Sequence, residues 1–271
     1  MLEKFNQYRQ TWTLPLNRHK ANNQTQLNRH KANNQTQFRF EWVDNLKELQ
    51  DVQRFRAQQF SKQFGIQFED NLDQDIYDFG CEHAVLREKW TGEIVAYTRL
   101  KLFQGHEIGQ SYSANEFDIV PHLSHLPNVL EIGRTCVHPR FRNGKALSTL
   151  WLNLAPKVLW SMRAKYLMGC VSIHLQDNLA RAYYTHRQIQ QLPDTKTIDI
   201  RSKKIYEPEY PEFSFPQDER MPKLFQMYLS MQSKLSKDAF FDAEFNCLDY
   251  FVFLEVNKIA TSFVMNKMAQ R

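Results

Sequence analysis

Glu131 and Arg134 stand three positions apart in the run NVLEIGRTCVH at residues 128–138. A carboxylate seated among apolar neighbours can take a proton from a substrate. A guanidinium can hold a substrate carboxylate in a two-pronged grip. On a strand, residues i and i+3 point to opposite faces, so Glu131 and Arg134 would pair as a structural ion pair only across a bulge. Arg134 and Arg99 each carry two readings: positioning a substrate carboxylate, or anchoring the acidic segment 73–78 through Asp75 or Asp78. His83 and His138 read as structural histidines beside strands, and Cys136 as a buried thiol. No Ser-His-Asp order and no Cys-His pairing can be argued, so covalent catalysis is not expected. Cys81, Cys136, Cys170 and Cys247 form no C-x-x-C pair. That argues against zinc and thioredoxin-like chemistry, and no metal site is expected; four free thiols fit a reducing cytosol.

Periodicity supplies the elements that must position these groups. Phe38, Phe40 and Trp42 alternate with polar residues, as a strand does. Asp44 can cap a helix carrying Leu46, Leu49, Val52, Phe55, Phe60 and Phe64, which Gly65 ends. Residues 83–88 and 93–102 flank Thr91-Gly92 as a hairpin. The strand at 128–138 stops at Pro139. A helix with Leu147, Leu150, Trp151, Leu154 and Val158 on one face follows, kinked or shortened by Pro156. YLMGCVSI at 166–173 reads as a buried strand, 178–190 as a helix, and Leu192–Met221 as a long surface loop. Pro222 opens an amphipathic helix through Leu224, Phe225, Tyr228, Met231 and Leu235. A strand at Tyr250–Val256 and a last helix after Asn257 complete the order, which suits an α/β sandwich around one mixed sheet.

The 271 residues suffice for one large core, and Phe is the commonest of the aromatic residues. A net charge of +5 favours an acidic partner: nucleic acid, anionic lipid or an acidic protein. No apolar stretch is long enough to span a membrane, and no apolar signal core opens the chain. Residues 16–26, LNRHKANNQTQ, are repeated unchanged at 27–37. So polar a tandem copy cannot pack as a solenoid. It reads as a flexible or weakly helical extension over residues 1–37, with a basic arm touching anionic lipid as the alternative, ahead of a domain at 38–271.

Seven segments in order resemble the N-acyltransferases, dependent on acyl carrier protein, that acylate ornithine in ornithine-lipid synthesis. This is a hemolysin-like branch of the GNAT superfamily related to the acyl-homoserine-lactone synthases. The segments are DQDIYDFGCEHAVL (73–86), TGEIVAYTRL (91–100), YSANEFDI (112–119), LEIGRTCVHPRFRNG (130–144), YLMGCVSI (166–173), MPKLFQMYLSM (221–231) and FFDAEFNCLDYFVFLEVNKI (240–259). The resemblance implies a GNAT-like three-layer α/β sandwich with a central mixed, mostly antiparallel sheet. It implies transfer of a long fatty acyl group, with or without a 3-hydroxyl, from acyl carrier protein to the α-amine of an amino acid, ornithine first. Glu131 would be the base and Arg134 its companion; Arg99, Asp75, Asp78 and His83 would touch the acceptor or support the site. Val137, Arg140, Arg142, Asn143, Gly144 and Lys145 would meet the donor. The loop Arg142-Asn143-Gly144-Lys145-Ala146-Leu147 departs from the Q/R-x-x-G-x-G/A cradle for the pyrophosphate of coenzyme A. A phosphopantetheine carries a single phosphodiester and tolerates that departure, and the basic cluster would steer an acidic carrier; a solvated helix start is the alternative. No bound cofactor and no nucleic acid are expected. The location implied is the cytoplasm, with peripheral contact at the inner face of the membrane. Two other functions stand beside this one: an acyl-homoserine-lactone synthase, which would need S-adenosylmethionine, and a non-catalytic module that binds acylated carrier protein.

Overall fold

The computed structural model describes residues 37–175, 179–206 and 220–258. The tandem repeat, apart from Gln37, lies outside the described residues, as do residues 259–271, where the last helix was expected. The chain forms two compact units, one of residues through Gln59, Phe68–Arg99 and Arg134–Leu154, the other of Phe60–Gln67, Leu100–Gly133 and residues from Ala155 on.

Strand β1 (Phe38–Trp42) runs antiparallel to β2 (Glu82–Glu88), with Phe38 opposite Glu88 and Trp42 opposite Ala84. Between them comes helix α1 (Leu46–Phe64). Its cap is Asn45 rather than the expected Asp44: the Asn45 side chain accepts the Glu48 N–H at 2.9 Å, three residues on. Gly65 ends the helix at φ +71°, a conformation that a β-carbon disfavours. The hairpin from β2 to β3 (Ile94–Phe103) turns as expected at Thr91-Gly92, where Gly92 has φ +73°. In the first unit the strand order is β1-β2-β3-β4, where β4 is Val129–Val137. Val52, Ala84, Leu86, Val95, Ala96 and Leu150 are buried there, and the Phe38 and Phe141 rings meet edge to face at 5.6 Å.

In the second unit the order is β3-β4-β5-β9-β7-β6, with β8 on β9. Here β5 is Tyr166–His174, β6 Thr197–Ile198, β7 Lys234–Ser236, β8 Phe240–Asp242 and β9 Cys247–Glu255. The sheet is mixed: β4 and β5 are parallel, whereas β5, β7 and β8 all run antiparallel to β9. The register of β4 on β5 covers Val129–Glu131 only; β5 stays paired with β9 from Tyr166 to His174. A β-carbon on Gly169 would collide with the Ile132 carbonyl, so this close approach requires glycine. Two one-turn helices, α2 (Ser113–Glu116) and α3 (Val120–Leu123), precede β4. Phe103, Ile108, Phe117, Ile119, Val129 and Phe251 form one core cluster; Ile173, Ala182, Phe225, Leu248 and Tyr250 belong to another.

Helix α4 (Lys145–Pro156) passes at its proline into a π-turn, Lys157–Ser161, because Pro156 cannot donate the next helical hydrogen bond. Helix α5 is Leu179–Gln190 and α6 is Lys223–Ser230. Two expectations are corrected. Leu235 belongs to β7, not to α6, since Met231–Gln232 turn the chain and Gln232 has φ +61°. The stretch Leu192–Met221 is not simply a surface loop: it contributes β6, parallel to β7, and Ser202 and Ile205 make isolated bridges to Phe117 and Phe240. Residues 207–219 of it lie outside the described residues. Among the described residues, no helix is long and apolar enough to cross a membrane.

Candidate active site

In the first unit, a buried charge network organises the acidic segment. Arg56 projects from α1 at 0% exposure. Its two terminal nitrogens donate to the two carboxylate oxygens of Asp78 at 2.6 and 2.8 Å, its Nε lies 2.9 Å from Asp73, and it also donates to the Asp73 carbonyl. Arg99, from β3, donates to Asp75 at 2.5 Å and to Asp78 at 2.7 Å. Arg134 reaches the other oxygen of Asp75 at 3.1 Å. Gln53 completes Asp78 at 2.9 Å. Burial would raise the Asp78 pKa, but Arg56 and Arg99 outweigh it and hold the carboxyl well below the usual range. Asp75 is lowered in the same way, burial and Asp78 being outweighed by Arg99 and Arg134.

His83 and Tyr97 extend the network. Burial pushes the His83 pKa down to about 4, so the ring is neutral at physiological pH. One tautomer satisfies all three contacts. Nε2–H donates to the Asp78 carbonyl at 2.9 Å, Nδ1 accepts the Tyr97 hydroxyl at 2.6 Å, and that oxygen accepts from Arg56 at 3.2 Å. Arg99, Arg134, Asp75, Asp78 and His83, five candidates from the sequence, are thus brought together, and their contacts are those of a scaffold that ties the segment before β2 to β3 and β4.

The candidate donor residues follow β4. Arg142 donates through Nε to the Val137 carbonyl at 3.0 Å. Arg140, on a one-turn 3-10 segment after His138, pairs with Glu93 at 2.8 Å, both side chains 60% exposed. Gly144 takes φ +89°, and Asn143 accepts the Lys145 N–H at 3.0 Å as α4 begins. Arg140 and Arg142 thus precede a twelve-residue helix that Lys145 opens, so three basic residues fall within six positions at a helix start.

Glu131 lies in the second unit, 9% exposed. Its Oε1 accepts the Ser113 N–H at 2.7 Å and the Ser113 hydroxyl at 2.6 Å; Oε2 accepts the Tyr112 N–H at 3.0 Å. The carboxylate therefore sits on the first N–H groups of α2, and a second lone pair of Oε2 is left for a further donor. Arg134 has φ +50°, so β4 carries a bulge-like irregularity three residues after Glu131. The hydrogen-bond partners found for Glu131 belong to 112–113, and those found for Arg134 to the acidic segment.

Three features escaped the sequence reading. Arg56 sits on the helical stripe of Val52 and Phe60, four residues from each, and a charge in such a stripe was the available signal. Glu116 and Asp249 are buried at 3% and 4% exposure. Burial, then the charge of Asp249, push the Glu116 pKa up to about 8 against hydrogen bonds from Cys170 and Tyr112. Asp249 could have been noticed as a lone charge inside the apolar run of β9.

A profile of the acetyltransferase (GNAT) domain matches residues 55–152. A protein of Rhodobacter capsulatus named L-ornithine N(alpha)-acyltransferase is 28% identical over 235 residues, covering 79% of this chain and 88% of the relative. A Brucella abortus protein of the same name is 23% identical over 245 residues, covering 80% and 83%. Among solved structures, FeeM, an N-acyl amino acid synthase from uncultured soil microbes, superposes with a TM-score of 0.50 at 8% identity, over 83% of this chain and 93% of its own. That last likeness shows the shared fold.

Proposed function

Since this chain is an acyltransferase of the GNAT fold, we propose that it moves a long fatty acyl group from acyl carrier protein to the α-amine of ornithine, giving a lyso-ornithine lipid. The observation that carries this reading is the match, over about four-fifths of the chain, to relatives named for acylating that amine.

The chemistry asks for a neutral amine, a held thioester and a thiol leaving group. The amine attacks the thioester carbonyl carbon, the C–S bond breaks, and the amine proton must leave. Glu131 is assigned that proton. Its carboxylate is fixed by three hydrogen bonds and retains one lone pair on Oε2, so it can accept the proton directly or through one water. Arg134 and Arg99 act through Asp75 as positioning residues for the segment beside β4. Arg140, Arg142 and Lys145 receive the phosphodiester of the carrier's pantetheine and favour an acidic carrier by charge.

The test is expression in a host lacking such lipids, with mass spectrometry of the lipid extract. New N-acyl ornithine supports the reading. An acylated homoserine lactone, or no new amide at all, refutes it.

A further inference from the structure

Glu116 ends α2, the one-turn helix whose first N–H groups hold Glu131. Its Oε2 is fully buried and takes no hydrogen bond. Around its carboxylate stand the Cys170 thiol and the Tyr112 phenol, with Asp249 and, more weakly, Asp242 adding negative charge. Lys203, whose backbone N–H bonds the Glu116 carbonyl, donates its ammonium to the Ala114 carbonyl. With its pKa pushed up to about 8, Glu116 keeps its proton at neutral pH, and a cation placed at its orphaned oxygen beside Asp249 would ionise it.

The linkage to Glu131 is short. Glu131 accepts the Ser113 hydroxyl at 2.6 Å, and the Cys170 thiol, which lies 3.7 Å from that hydroxyl, also acts on the Glu116 carboxyl. Resting on the acyl transfer proposed above, we propose that Glu116 and Asp249 hold the side-chain ammonium of the acceptor, so that the site selects a diamino acid over its monoamino analogue.

A metal ion fits this place less well. The carboxylates of Asp242 and Asp249 and the Cys247 thiol lie within 4.8 Å of one another. However, Asp242 Oδ1 already accepts the N–H groups of Glu244 and Phe245, at 2.9 and 3.0 Å. Burial and the neighbouring carboxylates also push the thiols of Cys170 and Cys247 up, away from the thiolate that a soft metal binds. An ammonium needs only oxygen acceptors, and Glu116 Oε2 supplies one already desolvated.

The test compares L-ornithine with L-norvaline, which has the same carbon skeleton without the δ-amine. Both are titrated into the full chain by calorimetry without donor, and both are assayed for kcat/KM with palmitoyl acyl carrier protein. Ornithine should be preferred by about 10²-fold. Glu116→Gln and Asp249→Asn, checked by melting temperature, should each cut that preference at least tenfold. Equal use of the two amino acids by the unaltered chain overturns the proposal without any variant. An undiminished preference in both folded variants overturns it too, as does zinc binding that depends on Asp249 while the preference does not. Ornithine binding that depends on Glu116, without turnover of any amino acid, keeps this inference and refutes the transfer reading. Loss of both binding and turnover in the unaltered chain refutes both.

Discussion

Replacing Arg56 with Ala removes a side chain that contacts Asp73, Asp78 and Tyr97 together. Both carboxylates are buried, at 3% and 1% exposure. Breaking a buried ion pair from one side costs about 3–5 kcal/mol, because the surviving charge has lost its solvent and its partner. Asp78 is not wholly abandoned: Arg99 at 2.7 Å and Gln53 at 2.9 Å still hold it. Arg134 stays 3.8 Å from Asp73. The lower end, about 3 kcal/mol, therefore applies, and it lowers Tm by roughly 6–12 °C in a domain of this size. The pH dependence has a definite sign. The folded-state pKa of Asp78 is depressed, so its contribution is complete above the unfolded carboxylate value near 4 and is lost as pH falls through the folded value. Without Arg56, burial lifts the Asp78 pKa. The gap in Tm between the two proteins should therefore be widest near pH 7 and narrow below about pH 4. Thermal melts across that range are the assay. A variant melting within about 2 °C of the parent at pH 7, or a gap that grows in acid, would refute the account.

Glu131→Gln should cut neutral-pH turnover by about 10²–10⁴ and be partly rescued at high pH, where more acceptor amine is neutral. The amide also cannot accept all three donors that the carboxylate accepts, so Tm should fall too; near-normal turnover in a folded variant removes Glu131 from the mechanism. Replacing Arg140, Arg142 and Lys145 together with Ala should raise KM for acylated carrier protein, and the loss should shrink in high salt, where steering is already screened; a loss independent of salt argues against a docking lip. The His83 ring should stay neutral down to about pH 4 in the folded chain. Its stabilisation is present above the unfolded histidine value of about 6.5 and lost between there and the folded value. An NMR midpoint near 6.5 would contradict the burial argument.

Much of the architecture was legible in sequence because it follows from local periodicity. Alternation set β1, the Thr91-Gly92 turn set the hairpin, Pro139 ended β4, and Pro156 ended α4, each through backbone constraints acting within a few residues. Motif order pointed to the GNAT fold, and the E-x-x-R pair singled out Glu131. What only the tertiary structure decided is who partners whom. Arg134 could have paired with Glu131 or with Asp75, and a strand period alone leaves that open. The positive φ of Arg134 and the meeting of α1, β3 and the acidic segment give it to Asp75. Arg56 is one of two arginines on α1, and only its burial makes it the centre of the network. Glu116 and Asp249 are far apart in the chain, and no local signal joins them. Their coupling exists because α2 packs on β5 while β9 pairs with that same strand. A desolvated charge depends on everything that excludes water from it, and that is a property of the folded chain.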